Sequence, residues 1–442
     1  MGDFRPEVAI QAGPPPIPVM TSPGEGAARS VLRKVAWRLL PLIALMYLLN
    51  ILDRANVGFA RLTMQPDLEL SDAVFDFGYG IFYFGYLLFE VPANLLLRRI
   101  GARRWMARIM ISWGLVSMLT LAVTGVWSFY AVRILLGIAE AGFFPGIVLY
   151  LTGWFPARER ARAMAFFMMA SALAGVVGNP VSGNVLYYLN GVGGLHGWQW
   201  LFLVEGLPSV LLGIVVLFYL PDGPHQASWL SAAEREHLIE SLNREEMTRL
   251  TQHGADRFRA MLHGRVWLLI GIYATVAIGS NAAGAKLAQL VKGLFEGYTE
   301  DTIGWLVALP HLCAVIAMVV IGTHSDRTGE RRGHVAFSAT VGAAGWVLAW
   351  IGWTTSSPWM GLAGFCIAQA GMMSMLPTFW AIPTAFLSGV AAAGGIALIN
   401  SVANIGGWFG PNIFELIGMR GMAMVLLAGA GLAMCVRPET QR

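Results

Sequence analysis

The chain has 442 residues, of which 56% are hydrophobic and 13% are charged, and its formal net charge is +4. This composition is typical of a membrane protein, and we interpret the small positive charge as a topology signal instead of a nucleic-acid-binding surface. The three cysteines lie in apolar stretches without the spacing of metal ligands, so neither a disulfide framework nor a metal site is indicated.

Residues 1–36 form a proline- and glycine-rich segment without the apolar core of a signal peptide, and we predict a disordered cytoplasmic tail there. Apolar stretches then recur as far as Val436. About twenty apolar residues cross a hydrocarbon core of roughly 30 Å, so we predict an all-α membrane protein with twelve spans. The predicted spans are 37–58, 74–97, 104–122, 127–151, 162–187, 198–220, 265–290, 301–322, 334–354, 358–377, 386–409 and 418–436.

The spans divide into two halves that resemble each other. Pro180 and Pro411 end comparable glycine-rich stretches 231 residues apart, and similar basic turns occur at nearly the same offset. We therefore predict two pseudo-symmetric bundles of six helices, residues 37–220 and 264–436, followed by a short cytoplasmic tail, 437–442. Repeated bundles with a site between them are typical of secondary transporters.

A polar linker, residues 221–263, separates the two bundles and is much longer than the other loops. Ser231 and Glu234 lie three residues apart before a run of helix-forming residues, which is the pattern of a capping box. A surface helix is expected to follow.

The charged loops predict the orientation in the membrane. The loops after spans two, four and eight are basic and fall on one side, which we call the basic side. The opposite loops, on the acidic side, contain few bases and several acids, namely Asp67, Glu69, Asp72, Glu300 and Asp301. By the positive-inside rule the basic side is cytoplasmic, and both termini lie there.

The end of span one, NILDRANVGFA, places an acid and a base next to each other in an apolar helix. Tyr47, Asn50 and Arg54 recur at helical spacing and share one face, with Asp53 one step around the same side. In span four Arg133 and Glu140 are seven residues apart and lie almost on one line. Charged groups inside a membrane are expected to face the bundle interior and to pair with one another.

Two interpretations of these four charges remain open. In the structural one, Arg54 pairs with Glu140 and Arg133 pairs with Asp53, and both pairs only hold helices in register. In the functional one, Asp53 and Glu140 take up protons, and an organic carboxylate then replaces them on the arginines, whose planar forks match a carboxylate.

Four longer stretches resemble a known family. GTHSDRTGERR (322–332) resembles the cytoplasmic loop signature of the major facilitator superfamily. The other three look like the anion:cation symporter family within it, and they are LDRANVGFA (52–60), RILLGIAEAGFFPG (133–146) and FWAIPTAFLSGVAAAGGIALINSVANIGGWFGP (379–411). The resemblance covers essentially the whole membrane domain.

The resemblance implies a function and roles for individual residues. Members of this family import organic acids together with protons, and the two bundles rock against each other in alternating access. The resemblance implies proton coupling by Asp53 and Glu140, with Arg54 and Arg133 near the substrate. It also implies a cavity-lining Tyr86 and a gating loop with Asp326, Arg327 and Arg331.

The sequence departs from the family pattern at three places. Leu97 stands where the first-half loop signature has an acid, and residues 285–289 read AKLAQ where the family has an aromatic-Trp-Leu-Pro-Gln stretch. This change adds Lys286 to span seven. His311 lies where a tyrosine is expected, so no relative's substrate can be transferred directly.

Several further polar residues have two interpretations each. Tyr79, Tyr83, Tyr86 and Glu90 share a face of span two, which is typical of helix packing, and we select Tyr86 alone as a substrate contact. Glu90 is a candidate for a gate.

In the second half, Asn400 and Asn404 lie one turn apart and either bind substrate or join helices. Lys286 either binds substrate or extends its charge to the membrane surface. His311 is either a hydrogen-bonded core residue or a second proton site.

We therefore predict a monomeric, proton-coupled importer of a small organic anion in the bilayer of a bacterial inner membrane, without a cofactor or a nucleic-acid partner. Sugar acids, tartrate-like dicarboxylates and aromatic acids such as phthalate remain open as substrates. The rivals are a sensor of the same fold, for which the six residues after Val436 leave no output domain, and a membrane enzyme. The enzyme is disfavoured because the motifs HExxH and CxxC are absent and no nucleophile with a base is evident.

Overall fold

A computed structural model describes residues 25–251, 264–386 and 389–436, and it is built from helices joined by short connections. The fourteen α-helices of this part of the chain are α1 Glu25–Asp67, α2 Asp72–Ile100, α3 Ala102–Leu119, α4 Val126–Glu140, α5 Phe143–Thr152, α6 Ala157–Tyr188, α7 Gly197–Tyr219, α8 Ala232–Thr251, α9 Gly264–Leu294, α10 Glu300–Thr328, α11 Arg332–Thr354, α12 Pro358–Phe386, α13 Gly389–Trp408 and α14 Gly410–Met434. With α4 and α5 counted as one broken span and the linker helix α8 left out, these helices give six spans in each half. The predicted fold class is therefore confirmed.

Span four is broken directly after Glu140, where a continuous helix over 127–151 was expected. Gly142 adopts a left-handed conformation with φ +83°, which glycine reaches without the penalty of a side chain. A Cβ at this position would lie 2.6 Å from the Cβ of Ala93, so the break also lets α2 approach closely. Glu140 is thereby the last residue of α4.

The last helix, α14, begins before the expected span 418–436 and is kinked. Pro411 lies in the first turn of α14, where its missing N–H has no helical partner to lose. The kink is at Gly418, with φ +63°.

The linker contains the predicted surface helix α8. The Ser231 N–H donates to Glu234 Oε2 at 2.8 Å, and the Glu234 N–H donates to Ser231 Oγ at 3.2 Å, so the capping box is confirmed. Lys34 lies 3.0 Å from Glu234. Helix α1 already begins at Glu25, so residues 25–36 are helical although a disordered tail was expected there. The other tail and linker residues, 1–24, 252–263 and 437–442, lie outside the described residues.

The hydrophobic core differs between the two sides of the molecule. On the acidic side one continuous cluster includes residues of both bundles, such as Val57 and Phe75 from the first and Ala282 and Met422 from the second. On the basic side each bundle has a separate cluster. In the part of the chain that the structure describes, the bundles therefore share a core only on the acidic side.

Two glycines make the closest approach on that side possible. A Cβ on Gly58 of α1 would lie 2.2 Å from the carbonyl oxygen of Gly284 in α9. Because glycine has no Cβ, two backbones can approach each other closely at such positions, as is common between membrane helices.

Candidate functional site

Arg54 and Glu140 form an ion pair between α1 and α4. Arg54 Nε donates to Glu140 Oε1, and Asn50 Nδ2 donates to the same oxygen at 2.6 Å. The Arg54 guanidinium lies 4.9 Å from the ring centroid of Tyr86. The Arg54 side chain is 26% exposed while Glu140 is 1% exposed. The arginine is therefore the member of the pair that a dissolved ligand can reach.

Arg133 is buried on the same side of the bundle, with different partners. Its Nε donates to the Gly78 carbonyl at 3.1 Å, and its Nη2 donates to the Tyr79 carbonyl at 3.3 Å. Its guanidinium also lies 5.0 Å from the ring centroid of Phe82. Within the described residues no carboxylate forms an ion pair with Arg133, so its positive charge is not neutralised by direct contact.

Asp53 points away from both arginines. It accepts hydrogen bonds from Trp113 Nε1 at 2.8 Å, Ser117 Oγ at 3.0 Å and Ser209 Oγ at 2.8 Å, and Asn56 Nδ2 lies 3.4 Å away. The expected pairing of Arg133 with Asp53 is thus wrong. Consecutive helical residues are separated by about 100°, so Asp53 faces α3 and α7 while Arg54 faces α4.

Some aromatic residues of the site pack against other rings, and others contact charged or polar side chains. The Tyr47 ring stacks on Phe167, with ring centroids 4.2 Å apart. Tyr86 lies against the Arg54 guanidinium. Tyr83 extends across to the second bundle, where its hydroxyl donates to Asn281 Oδ1 in α9. Tyr83 was predicted to be a packing residue, and Asn281 was not predicted to belong to the site.

Lys286 lies among acids on the acidic side. Its Nζ is 2.8 Å from Asp76 Oδ2 in α2 and also pairs with Glu415 in α14. Asp76 is shared with Arg61, whose Nη1 is 2.5 Å from Asp76 Oδ1. We call Arg61, Asp76, Lys286 and Glu415 the acidic-side network. Asp76 was not singled out in the sequence, although an acid inside an apolar span is a usable signal.

The remaining polar candidates of the second bundle lie in α10 and α13. Asn400 and Asn404 are half-buried, and neither has a hydrogen-bond partner among the residues described. His311 Nδ1 lies 3.0 Å from the Val307 carbonyl and 3.3 Å from Asn179 Nδ2 of α6. His311 therefore contacts Asn179 of the first bundle, and its Nδ1 either donates to Val307 or accepts from Asn179, depending on the tautomer.

The second-half loop motif forms a local ion pair. Arg331 Nη1 donates to Asp326 Oδ1 at 2.6 Å and to Ser325 Oγ at 3.1 Å. Arg327 is exposed nearby, in the last turn of α10. In the first half Leu97 is buried, in place of the acid of the family pattern.

Glu205 in α7 is a buried acid that was not predicted from the sequence. Ser182 Oγ donates to Glu205 Oε1 at 2.6 Å. A lone acid in the apolar stretch LFLVEGLPSV is the signal that identifies it. Among the described residues no cluster of three or more His, Cys, Asp or Glu side chains is arranged to hold a metal ion.

Comparison with known proteins places this geometry in context. The sequence profile of the Major Facilitator Superfamily matches residues 43–411. A protein of Agrobacterium vitis, provisionally named a tartrate transporter, is 47% identical over 388 residues, 88% of this chain and 85% of that protein. The quinolone resistance transporter of Acinetobacter baumannii is 37% identical over 423 residues, 94% and 96% of the two chains.

A solved structure has a similar fold. It is the xylose transporter XylE from E. coli in a partially occluded inward-open conformation, with a TM-score of 0.72. The likeness covers 92% of this chain and 99% of that chain at 13% sequence identity. At this identity the likeness extends to the fold alone.

Proposed function

The chain belongs to the major facilitator superfamily and is a membrane transporter, not an enzyme, and on this premise we propose that it imports a small organic anion together with protons. The basic side faces the cytoplasm and carries both termini, in accordance with the positive-inside rule. A bacterial inner membrane is the proposed location, since both relatives named above are from bacteria.

The observation that carries the proposal is the unequal pairing of Arg54 and Arg133. Arg54 has a carboxylate partner and is partly exposed, whereas Arg133 is bound only to backbone carbonyls within the described residues. The two arginines carry two positive charges and Glu140 carries one negative charge. One positive charge of the site is therefore left without a carboxylate. A guanidinium fork binds a carboxylate with two parallel hydrogen bonds, so an organic anion fits this excess.

Proton coupling follows because Glu140 and the anion are alternative partners of Arg54. When Glu140 takes up a proton, Arg54 loses its internal counter-charge and becomes available to the anion. When Glu140 releases the proton, it regains Arg54 and the anion is expelled. Each ligand thus favours the other, and reciprocity of linked sites requires this to hold in both directions. Asp53 is the second proposed proton site, held by neutral donors.

Transport requires that the site open to each side in turn. Here the shared core and the acidic-side network close one side, which leaves the cytoplasmic side as the release route. We propose that Lys286 acts in this closure. The two bundles then rock about the site, as in other transporters built from repeats.

The cargo is proposed at the level of a chemical class. Sugar acids, tartrate-like dicarboxylates and aromatic carboxylates all offer a carboxylate for the arginines, and Tyr86, Asn50, Asn400 and Asn404 supply polar partners. The names of the relatives differ in cargo, so the class is argued from the charges of the site. We propose a monomer, because each chain contains both bundles.

Reconstitution into vesicles tests the proposal. With the outside at about pH 5.5 and the inside at about pH 7.5, purified protein should accumulate at least one organic acid, and a proton ionophore should abolish the accumulation. A thermal-shift panel of tartrate, sugar acids, phthalate and a quinolone selects the substrate, because a bound ligand stabilises the fold by mass action. Binding without any accumulation would indicate the sensor function instead.

A further inference from the structure

Glu205 is a buried acid that the proposed cycle does not use. It lies in α7 and is 5% exposed. Its neighbours belong to three other helices, with Ser182 on α6, Asn56 and Asp53 on α1, and Gly114 of α3 packed against Gly206. An acid at such a position is costly to keep ionised unless its oxygens are well solvated by donors.

The hydrogen bonds around Glu205 do not suit a carboxylate. Ser182 donates to Oε1 at 2.6 Å, while Oε2 is buried and has no partner in the described part of the chain. Asp53 differs, because three donors lie within 3.0 Å of its two oxygens. An ionised carboxylate only accepts hydrogen bonds, whereas a protonated one needs fewer donors. Asp53 is therefore built to hold a charge, and Glu205 is built to remain neutral.

The surrounding charges lead to the same assignment. Asp53 and Glu205 are neighbours, because Ser209, one helical turn after Glu205 in α7, donates to Asp53 Oδ2 at 2.8 Å. The groups that face them from α3 and α6 are neutral, namely Trp113, Ser117 and Ser182. Among the residues described, no lysine, arginine or histidine forms an ion pair with either acid. Two neighbouring carboxyls without a cation resist double ionisation and titrate as a pair.

We propose that Asp53 and Glu205 form a two-carboxyl proton site, in which Glu205 holds a proton while Asp53 is ionised. This site is separate from the Arg54 and Glu140 pair, and it rests on the proposed function for its role in transport. Uptake of one more proton gives two neutral acids, and its release restores the singly protonated pair. The chain can then carry a proton in addition to the one on Glu140.

Infrared spectroscopy tests the site without any transport. The wild-type protein at neutral pH should have the C=O stretching band of a buried protonated carboxyl. Glu205→Gln should remove the band, and Glu236→Gln, at an exposed position on α8, should leave it in place. A band that is unchanged in Glu205→Gln overturns the proposal.

The number of protons transported per anion tests which acid of the pair exchanges its proton. Glutamine mimics the shape of a protonated glutamate, so Glu205→Gln should fold and exchange anion across the membrane. Because Glu205 stays protonated in both states of the pair, the accumulation ratio of this variant should depend on the pH gradient as steeply as that of the wild type, whereas Asp53→Asn, which removes the exchanging acid, should lose uphill uptake. Ser182→Ala keeps the carboxyl and should keep the wild-type slope.

The outcomes distinguish the two levels of the proposal. A slope lower by about one proton per anion in Glu205→Gln, with accumulation intact, means that Glu205 itself exchanges a proton and overturns the inference. If the wild type accumulates no anion, the proposed function fails, and the infrared band alone decides the protonation of Glu205.

Discussion

Lys286 Nζ lies 2.8 Å from Asp76 Oδ2, and this ion pair joins α9 of the second bundle to α2 of the first. Both side chains are at most 2% exposed. Asp76 also holds Arg61, and Lys286 also holds Glu415, so two cations and two acids alternate across the contact. Arg61 also pairs with Asp72, so each bundle already balances its own cation with an acid, and the contact between the bundles adds the pairing of Lys286 with Asp76.

A double-mutant cycle of Lys286→Gln and Asp76→Asn tests this contact. Removing one partner of a buried pair leaves an uncompensated charge, and full loss costs about 3–5 kcal/mol. We expect Lys286→Gln to cost less than this, since Asp76 keeps Arg61, and we expect a coupling energy of about 0.5–3 kcal/mol. Unfolding free energies of the four proteins measure it. Lys292→Gln is the matched control, because Lys292 is half-exposed and pairs with Glu300 of its own bundle.

Gly58→Ala should oppose closure of the acidic side. The new Cβ would lie 2.2 Å from the Gly284 carbonyl oxygen, and overpacking of this kind costs about 1–3 kcal/mol. The unfolding temperature should fall, and a cysteine introduced at Ala283 should be alkylated faster by an impermeant reagent. Gly431→Ala, with no atom within 4 Å of the new Cβ, should do neither. Equal effects of the two substitutions would argue against a close α1 to α9 contact.

Arg54→Lys and Arg133→Lys should weaken anion binding while keeping the charge. A lysine lacks the planar fork that binds a carboxylate at two points. The loss of one charged hydrogen bond, about 1.5–3 kcal/mol, corresponds to a roughly 10- to 150-fold increase in Kd. Calorimetric titration with the best ligand of the thermal-shift panel measures it. Arg244→Lys on the exposed face of α8 serves as the control, and a Kd that stays at the wild-type value in both site variants would remove the arginines from the substrate site.

Glu140→Gln and Asp53→Asn should separate proton-driven uptake from exchange. Both substitutions fix a neutral side chain, so the anion can bind but the pH gradient no longer drives the cycle. Uphill uptake into vesicles should be lost, while counterflow between two pools of labelled and unlabelled anion continues. Unchanged uphill uptake in both variants contradicts the mechanism.

The cap of α8 should be sensitive to acid. The Ser231 N–H and the Lys34 ammonium both stabilise the Glu234 carboxylate, and they lower its pKa below the usual value. Because the folded pKa is the lower one, the contribution is present above the unfolded pKa of about 4.3 and is lost as the pH falls through the folded value. Amide protection in the first turn of α8 should therefore be constant between about pH 5.5 and 7.5 and fall below about pH 4. Glu234→Gln should remove this pH dependence, and Glu236→Gln should retain it.

The helices followed from sequence because hydrophobicity is a local property. In the part of the chain that the structure describes, each of the twelve expected spans is mostly helical, and the capping box at Ser231 was found from its spacing. The break after Glu140 was not predicted, since Gly142 is left-handed only where α2 approaches it. The start of α1 at Glu25 was also not predicted, and in this part of the helix Lys34 pairs with Glu234 of α8.

The site was predicted less completely than the fold. The pairing of Arg54 with Glu140 could be inferred from two helical faces, and it is present. Asp53 was assigned to Arg133, yet its donors come from α3 and α7, which no helical periodicity relates to α1. Glu205 and Asp76 were overlooked because each is a single acid without a partner in its own helix.

The sequence by itself determined that this chain forms twelve apolar helices in two related halves, and which charges lie within them. Burial of backbone and apolar surface in a membrane depends on composition and spacing along one segment, so these features are local. Only the tertiary structure decided which charge meets which, that Lys286 pairs with Asp76 of the other bundle, and that Asp53 is held by Ser209 of the helix that carries Glu205. The physical reason is that an ion pair depends on distance and direction between helices, and these are fixed by packing of the whole bundle.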